Sequence, residues 1–205
     1  QSRSSAASDV YKRQVLDLAN PDAYRHIADR LLALLGEYPI AYLKWDHNRD
    51  LVDAGSGPGG SPRVREHTLA LYRLLDELKA AHPDLEIESC ASGGARVDLG
   101  ILDRTDRIWT SDSLDPIERL ENQRYTGLVV PPEMMGMHLT SPVVHSSGRT
   151  VSLELSAAVA LLGHFGVEWD LTSADEETRG RVAAWIALAK LSLIHISEPT
   201  RQEAI

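Results

Sequence analysis

Tyr42-Leu43-Lys44-Trp45-Asp46-His47-Asn48-Arg49 closes an apolar run with a lysine and a carboxylate two residues apart. A β-strand presents alternate side chains to opposite faces, so Tyr42, Lys44 and Asp46 share one face and Ala41, Leu43 and Trp45 the other. The second set has the character of a surface packed under a helical layer. Charged side chains rarely point into an interior without a partner or a task. The first face therefore reads as an inner face ending in an active-site carboxylate, Asp46.

Helical and strand patterns alternate around this strand, which is expected over 40–45. Asn20 is placed to cap a helix with Pro21 at its first position, and Tyr24, Ile27, Leu31, Leu32 and Leu35 follow the helical period. A Gly-, Pro- and Ser-rich loop covers 53–63. Leu71, Leu74, Leu75 and Leu78 recur at i, i+3, i+4 and i+7, predicting a helix over 64–81 that His82-Pro83 ends. Further strands are expected at 85–90, 107–111, within 133–139 and at 167–170. Helices are expected at 116–126, 150–165 and 173–189.

Repeated strand–helix units imply a parallel α/β sheet. An open doubly wound sheet and a closed barrel both fit. Polar residues at the C-terminal ends of several strands (Asp46, Cys90, Asp112 and His138) favour the barrel, because barrel enzymes draw catalytic groups from that face. A whole barrel takes about 250 residues, and only about five strands are visible. The fold class expected is a partial (β/α)8 TIM barrel comprising roughly strands 4–8.

Asp112 ends Ile108-Trp109-Thr110-Ser111-Asp112, and alternation groups Ile108, Thr110 and Asp112 on one face at the barrel mouth. Two carboxylates from separate strands are the equipment of glycoside hydrolysis, although either aspartate serves equally as a loop cap. Lys44 would favour ionised Asp46 and keep it a competent nucleophile. Asp115 is a rival to Asp112, but Asp115-Pro116 followed by Glu118 reads as an Asp-x-x-Glu capping box. Asp112 has no such local explanation and is the second carboxylate chosen.

Cys90 as a nucleophile would need a histidine partner, and none is placed near it; a small packing residue is the simpler reading. His138, His145 and His164 lack metal-ligand spacing, so no metal and no cofactor is expected. Trp169-Asp170 reads as a packed tryptophan followed by a loop-capping aspartate. Gly93-Gly94 reads as a tight turn that lets backbone approach a ligand.

Three ordered motifs now combine: Lys44-Trp45-Asp46-His47-Asn48-Arg49, Glu88-Ser89-Cys90-Ala91-Ser92-Gly93-Gly94-Ala95-Arg96, and Trp109-Thr110-Ser111-Asp112 with Glu118-Arg119. Together they resemble retaining α-galactosidases of glycoside hydrolase family 36, collinearly over 15–190. The resemblance implies the barrel fold, Asp46 as nucleophile and Asp112 as acid/base. It also implies that Lys44, Cys90 and Gly93 line the galactose pocket, supported by Asn48 and Arg49. Ala95 stands where the family often has another glycine. The substrate implied is an α-galactoside oligosaccharide, and a homo-oligomeric full-length parent is compatible with it. Galactosyl transfer and action on α-N-acetylgalactosamine are close alternatives. A truncated, non-catalytic barrel fragment is the alternative of a different class.

The 205 residues are 43% hydrophobic and 25% charged, with 30 acidic against 21 basic residues and net charge -9. That balance argues against a nucleic-acid partner. Apolar stretches fall short of the roughly 20 residues of a membrane span, and one cysteine excludes an internal disulfide framework. A cytoplasmic location is the expectation. Residues 1–14 and 191–205 are expected to be artefactual or disordered tails, similar to translated adapter read-through, leaving 15–190 as the partial catalytic barrel.

Overall fold

The computed structural model describes residues 15–51, 54–56 and 60–197. The chain divides into two compact units after Asp106. The expected tail at 1–14, and residues 198–205 of the tail expected over 191–205, lie outside the described residues.

The first unit opens with α1 (Pro21–Glu37), where Asn20 accepts from the Asp22 and Ala23 backbone N–H groups at 2.9 and 3.5 Å, the cap expected from the sequence. Strand β1 (Tyr42–Trp45) follows, then a short antiparallel pair, β2 (Gly55–Ser56) and β3 (Ser61–Pro62), within the expected loop. Next come α2 (Val64–Ala81), β4 (Glu86–Ser89) and a single turn of helix, α3 (Leu99–Leu102). The periodicity of α2 is borne out: Leu71, Leu74, Leu75 and Leu78 are all buried, in one cluster with Ile87, Leu35 and Ala28. Each such leucine contributes about 1.5–3 kcal/mol through burial. Tyr24 Oη donates to Glu77 at 2.9 Å, joining α1 to α2.

Strands β1 and β4 are parallel, with Lys44 opposite Glu88 and Leu43 opposite Ile87. Leu43 and Trp45 pack against the helical cluster, as alternation requires. Asp106 accepts from Lys79 Nζ and the Ile87 N–H, both at 2.8 Å, anchoring the end of this unit.

The second unit contains three parallel strands, β5 (Arg107–Trp109), β6 (Met135–Thr140) and β7 (His164–Glu168). The helix α4 (Pro116–Thr126) lies between β5 and β6 in sequence, α5 (Leu153–Ala160) between β6 and β7, and α6 (Glu176–Ser197) after β7. Met137, Leu139, Leu153, Ala157, Ala160 and Val182 form its apolar core.

Four expectations change in detail. The helix expected over 150–165 occupies only Leu153–Ala160. Ser152 caps its start by accepting from Leu155 N–H at 3.2 Å, and Thr150 is held in a bridge to Val143. The apolar residues after Ala160 turn into β7, a boundary periodicity alone does not mark. Secondly, the last helix starts at Glu176, where Asp175 accepts from Thr178 N–H at 2.7 Å, and runs on to Ser197, past the break expected near 191.

Thirdly, β5 stops at Trp109. Lastly, its register pairs Ile108 with Met135 and Trp109 with Gly136. Paired residues of parallel strands share a face, and Met135 alternates with the core residues Met137 and Leu139. Ile108 therefore belongs to the helix-facing side, and Trp109 to the other with Gly136 and His138. The inward grouping of Ile108, Thr110 and Asp112 is not what forms, and Asp112 lies beyond the strand on the loop entering α4.

Candidate active site

Tyr42, Lys44 and Asp46 emerge on one face of β1, all of them exposed. Hydrogen bonds from Cys90 N–H to Trp45 O (2.9 Å) and from His47 N–H to Cys90 O (3.1 Å) add one more parallel rung. That rung sets Asp46 beside Cys90. Arg96 locks it from behind, donating to Trp45 O at 3.2 Å and Cys90 O at 3.0 Å.

The turn after Cys90 places Ser92 and Gly93 at positive φ, 48° and 79°. Gly93 supplies the conformation a tight turn needs, as the Gly-Gly pair suggested. Its carbonyl accepts from Ala91 N–H at 2.9 Å. The turn aims Ser92 N–H at Asn48 Oδ1, 2.9 Å away, while Asn48 Nδ2 donates to Asp46 Oδ2 at 2.6 Å. Arg49 offers its carbonyl to His47 Nε2 at 2.5 Å. With His47, Asn48, His67, Arg96 and Asp98 it borders a cleft of about 480 Å³.

Burial pushes the Asp46 carboxyl upward, but donors from Cys90, Asn48 and the His47 backbone outweigh it, and the net shift is below the ordinary carboxylate range. Lys44 acts in the same direction and is the smallest of these influences. The expectation that Lys44 favours ionised Asp46 holds in direction, although the hydrogen bonds contribute more. The ammonium of Lys44 instead lies 3.1 Å from Glu88 Oε1.

Burial, followed by the hydrogen bond to Asp46, drives the Cys90 thiol up to about 11. Cys90 is 2% exposed and stays a protonated donor to Asp46. Its thiol does more than fill space: it donates to the Asp46 carboxylate.

In the second unit Asp112 is exposed on the loop after β5. Asp115 is fully buried and committed to structure, capping α4 through Ile117 N–H at 3.0 Å and accepting from Ser147 Oγ and Arg149 Nε, both at 2.7 Å. The Asp-x-x-Glu box does not close as expected: Glu118 accepts from Ser113 Oγ at 2.6 Å, and Ser113 Oγ in turn accepts from Asp115 N–H. Choosing between the two aspartates on structural grounds thus leaves Asp112 available for chemistry.

The Trp109 and His138 rings meet at a tilt of 43° with centroids 4.4 Å apart, and His138 Nδ1 pairs with Glu168 at 3.0 Å. The Arg119 guanidinium lies 4.7 Å from the Trp109 ring centre and donates to Ser111 O at 2.8 Å and to Gly136 O. Trp169 packs into the core and Asp170 caps the next turn through Thr172 N–H at 3.0 Å, as read from the sequence.

Three polar residues escaped functional reading: Glu88, Arg96 and Arg119. The signal for Glu88 was present as a carboxylate in the strand directly before Ser89-Cys90; the two arginines act on carbonyls, which leave no trace in sequence.

The melibiase family model matches residues 1–196. An α-galactosidase of Escherichia coli is 45% identical over 161 residues, 78% of this chain and 22% of that protein. The crystal structure of the family 36 α-galactosidase AgaA of Geobacillus stearothermophilus superposes with a TM-score of 0.83 at 35% identity, covering 87% of this chain and 26% of that one. A variant of AgaA solved in complex with raffinose gives 0.84 at 34% identity over 89% and 26%. The chain spans about a quarter of the length of these relatives, and the match assigns its fold to part of a (β/α)8 barrel. It belongs to the melibiase family, among proteins similar to the α-galactosidases of glycoside hydrolase family 36.

Proposed function

We propose that this chain carries the nucleophile and the acid/base of a retaining α-galactosidase, with Asp46 and Asp112 in those roles. The observation that carries the reading is the Asp46 carboxylate, held ionised by three donors at the end of a parallel strand. Its family membership supplies the substrate class, and the AgaA variant bound to raffinose is a relative in complex with an oligosaccharide.

In the first step Asp112 gives its proton to the glycosidic oxygen while an Asp46 oxygen bonds to the anomeric carbon and the leaving sugar departs. In the second, the Asp112 carboxylate takes a proton from water, whose oxygen displaces Asp46 and frees galactose. Lys44, Cys90 and Gly93 border the sugar; Asn48 and Arg49 support the loop that carries Asp46. This double displacement requires the two carboxyl groups about 5–5.5 Å apart, whereas about 6.5 Å or more belongs to inversion.

The test is Asp46→Ala in a full-length enzyme carrying residues 15–190. Turnover of a nitrophenyl α-galactoside is lost, and azide restores part of it as a β-galactosyl azide. Substantial residual activity, or no rescue with azide, refutes Asp46 as nucleophile. The 205-residue chain by itself is expected to be inactive, because it spans about a quarter of the enzymes it resembles.

A further inference from the structure

Glu88 is the one carboxylate of the β1–β4 pair that is almost wholly buried, 2% exposed. It faces Lys44 directly in register. Its Oε1 lies 3.1 Å from Lys44 Nζ, and its Oε2 accepts from Tyr42 Oη at 2.5 Å. A buried carboxylate is tolerated only when charge and hydrogen bonds compensate it, and removing one partner of such a pair costs far more than an exposed pair would.

The placement has a consequence for Asp46, one rung further along the same face. Residues two apart on a strand are about 6.6 Å apart, within the span of a lysine side chain. An uncompensated Lys44 would turn toward Asp46 and form a counter-ion pair with it. Such a pair stabilises the carboxylate and weakens it as a nucleophile, since the ion pair must loosen before an oxygen can bond to carbon. In the observed arrangement Lys44 pairs with Glu88, and Asp46 is held by neutral donors: the Cys90 thiol, the Asn48 amide and the His47 backbone N–H.

We propose that Glu88 is a positioning residue that holds and neutralises the Lys44 ammonium, leaving Asp46 hydrogen-bonded but without a full counter-ion. This rests on the reading of Asp46 as the nucleophile. Glu88 itself touches no reacting atom; it acts through Lys44.

The experiment is the pH profile of kcat/KM for a nitrophenyl α-galactoside in the full-length enzyme. The charged and titratable groups acting on Asp46 are Lys44, Cys90 and the Arg96 guanidinium, which is unchanged in every variant below. In Glu88→Gln the positive charge of Lys44 is no longer balanced by Glu88, so the acidic limb moves to lower pH by about one unit while the plateau falls about tenfold. Adding Lys44→Met to Glu88→Gln returns the limb to its original position. Glu88→Asp retains the charge on a shorter arm and shows the same shift at reduced size; it carries the measurement if Glu88→Gln does not fold.

A residue serving only to stabilise the strand pair would lower the melting temperature and leave the limb in place. An unmoved limb in the folded variants therefore overturns the proposal, as does a shifted limb that Lys44→Met does not restore. Azide rescue of Asp46→Ala separates the two layers: rescue with an unmoved limb sinks the role of Glu88 alone, whereas failed rescue sinks the nucleophile.

Discussion

Asn48 donates to Asp46 across 2.6 Å with one end of its amide and accepts from the Ser92 N–H across 2.9 Å with the other. One side chain thus ties the end of β1 to the turn after β4 and orients the carboxylate at the same time. Both bonds are lost in Asn48→Ala. Because Asn48 is among the donors that hold the Asp46 carboxyl low, its removal raises that group. The acidic limb of kcat/KM in the full-length enzyme is expected to move up by about one pH unit, with the rate loss greatest at low pH. An unchanged limb would show that Asn48 does not act on Asp46. The direction is opposite to that expected for Glu88→Gln, so the two variants check each other.

Cys90 is the single cysteine of the chain, which makes its thiol easy to follow. With the thiol pushed up to about 11 by burial and by Asp46, only about one in a thousand is ionised at pH 8. Thiol titration with a chromogenic disulfide should be slow in the folded 205-residue chain and at least about a hundredfold faster in denaturant, because thiolate is the reactive form. Equal rates in the two states would remove the basis for treating Cys90 as a buried donor.

Asp115 links the start of α4 to the 147–149 loop. Asp115→Ala removes a helix cap and leaves Arg149 and Ser147 without their acceptor. Unfolding by urea should show a loss of about 3 kcal/mol, the cap accounting for about 1 of it. Burial opposes ionisation of Asp115, but Arg149, Ser147 and the Ile117 N–H prevail and its carboxyl lies below the ordinary value. A depressed folded pKa stabilises above the unfolded value, near 4, and that contribution disappears as pH falls through the folded one. The difference in stability between the parent and Asp115→Ala should accordingly narrow below about pH 4.

Gly163 sits where the chain leaves α5 for β7. A Cβ there would lie 2.6 Å from Met135 O and 3.1 Å from Pro132 O, both backbone atoms that do not swing aside. Gly163→Ala should destabilise by about 2 kcal/mol through overpacking, read as a lower urea midpoint at unchanged slope. Gly180→Ala is the control, since a Cβ there meets nothing within 4 Å.

Much of the fold was legible because the signals are local. The Asn20-Pro21 start of α1, the leucine stripe of α2, the alternation of β1 and the Pro116–Thr126 helix each depend on residues within one or two turns. Misplaced features had competing local signals. The apolar stretch after Ala160 suits a helix or a buried strand equally well. The alternation extended from Ile108 to Asp112 assumed a strand that in fact stops at Trp109.

The site divides in the same way. By itself the sequence determined which groups are available: the Lys44–Asp46 pair on one strand face, Cys90 before a Gly-Gly turn, Asp112 as a second carboxylate, and the motif order that marks the family. The tertiary structure decided which group partners which. Lys44 could have served Asp46, yet the β1–β4 register delivers it to Glu88, and Asp46 is held instead by Asn48 and Cys90. Asp115, expected to close a box with Glu118, reaches Arg149 instead, 34 residues away. Hydrogen bonds act only over about 3 Å, so their partners follow from strand register and turn conformation, which bring together residues far apart in the chain.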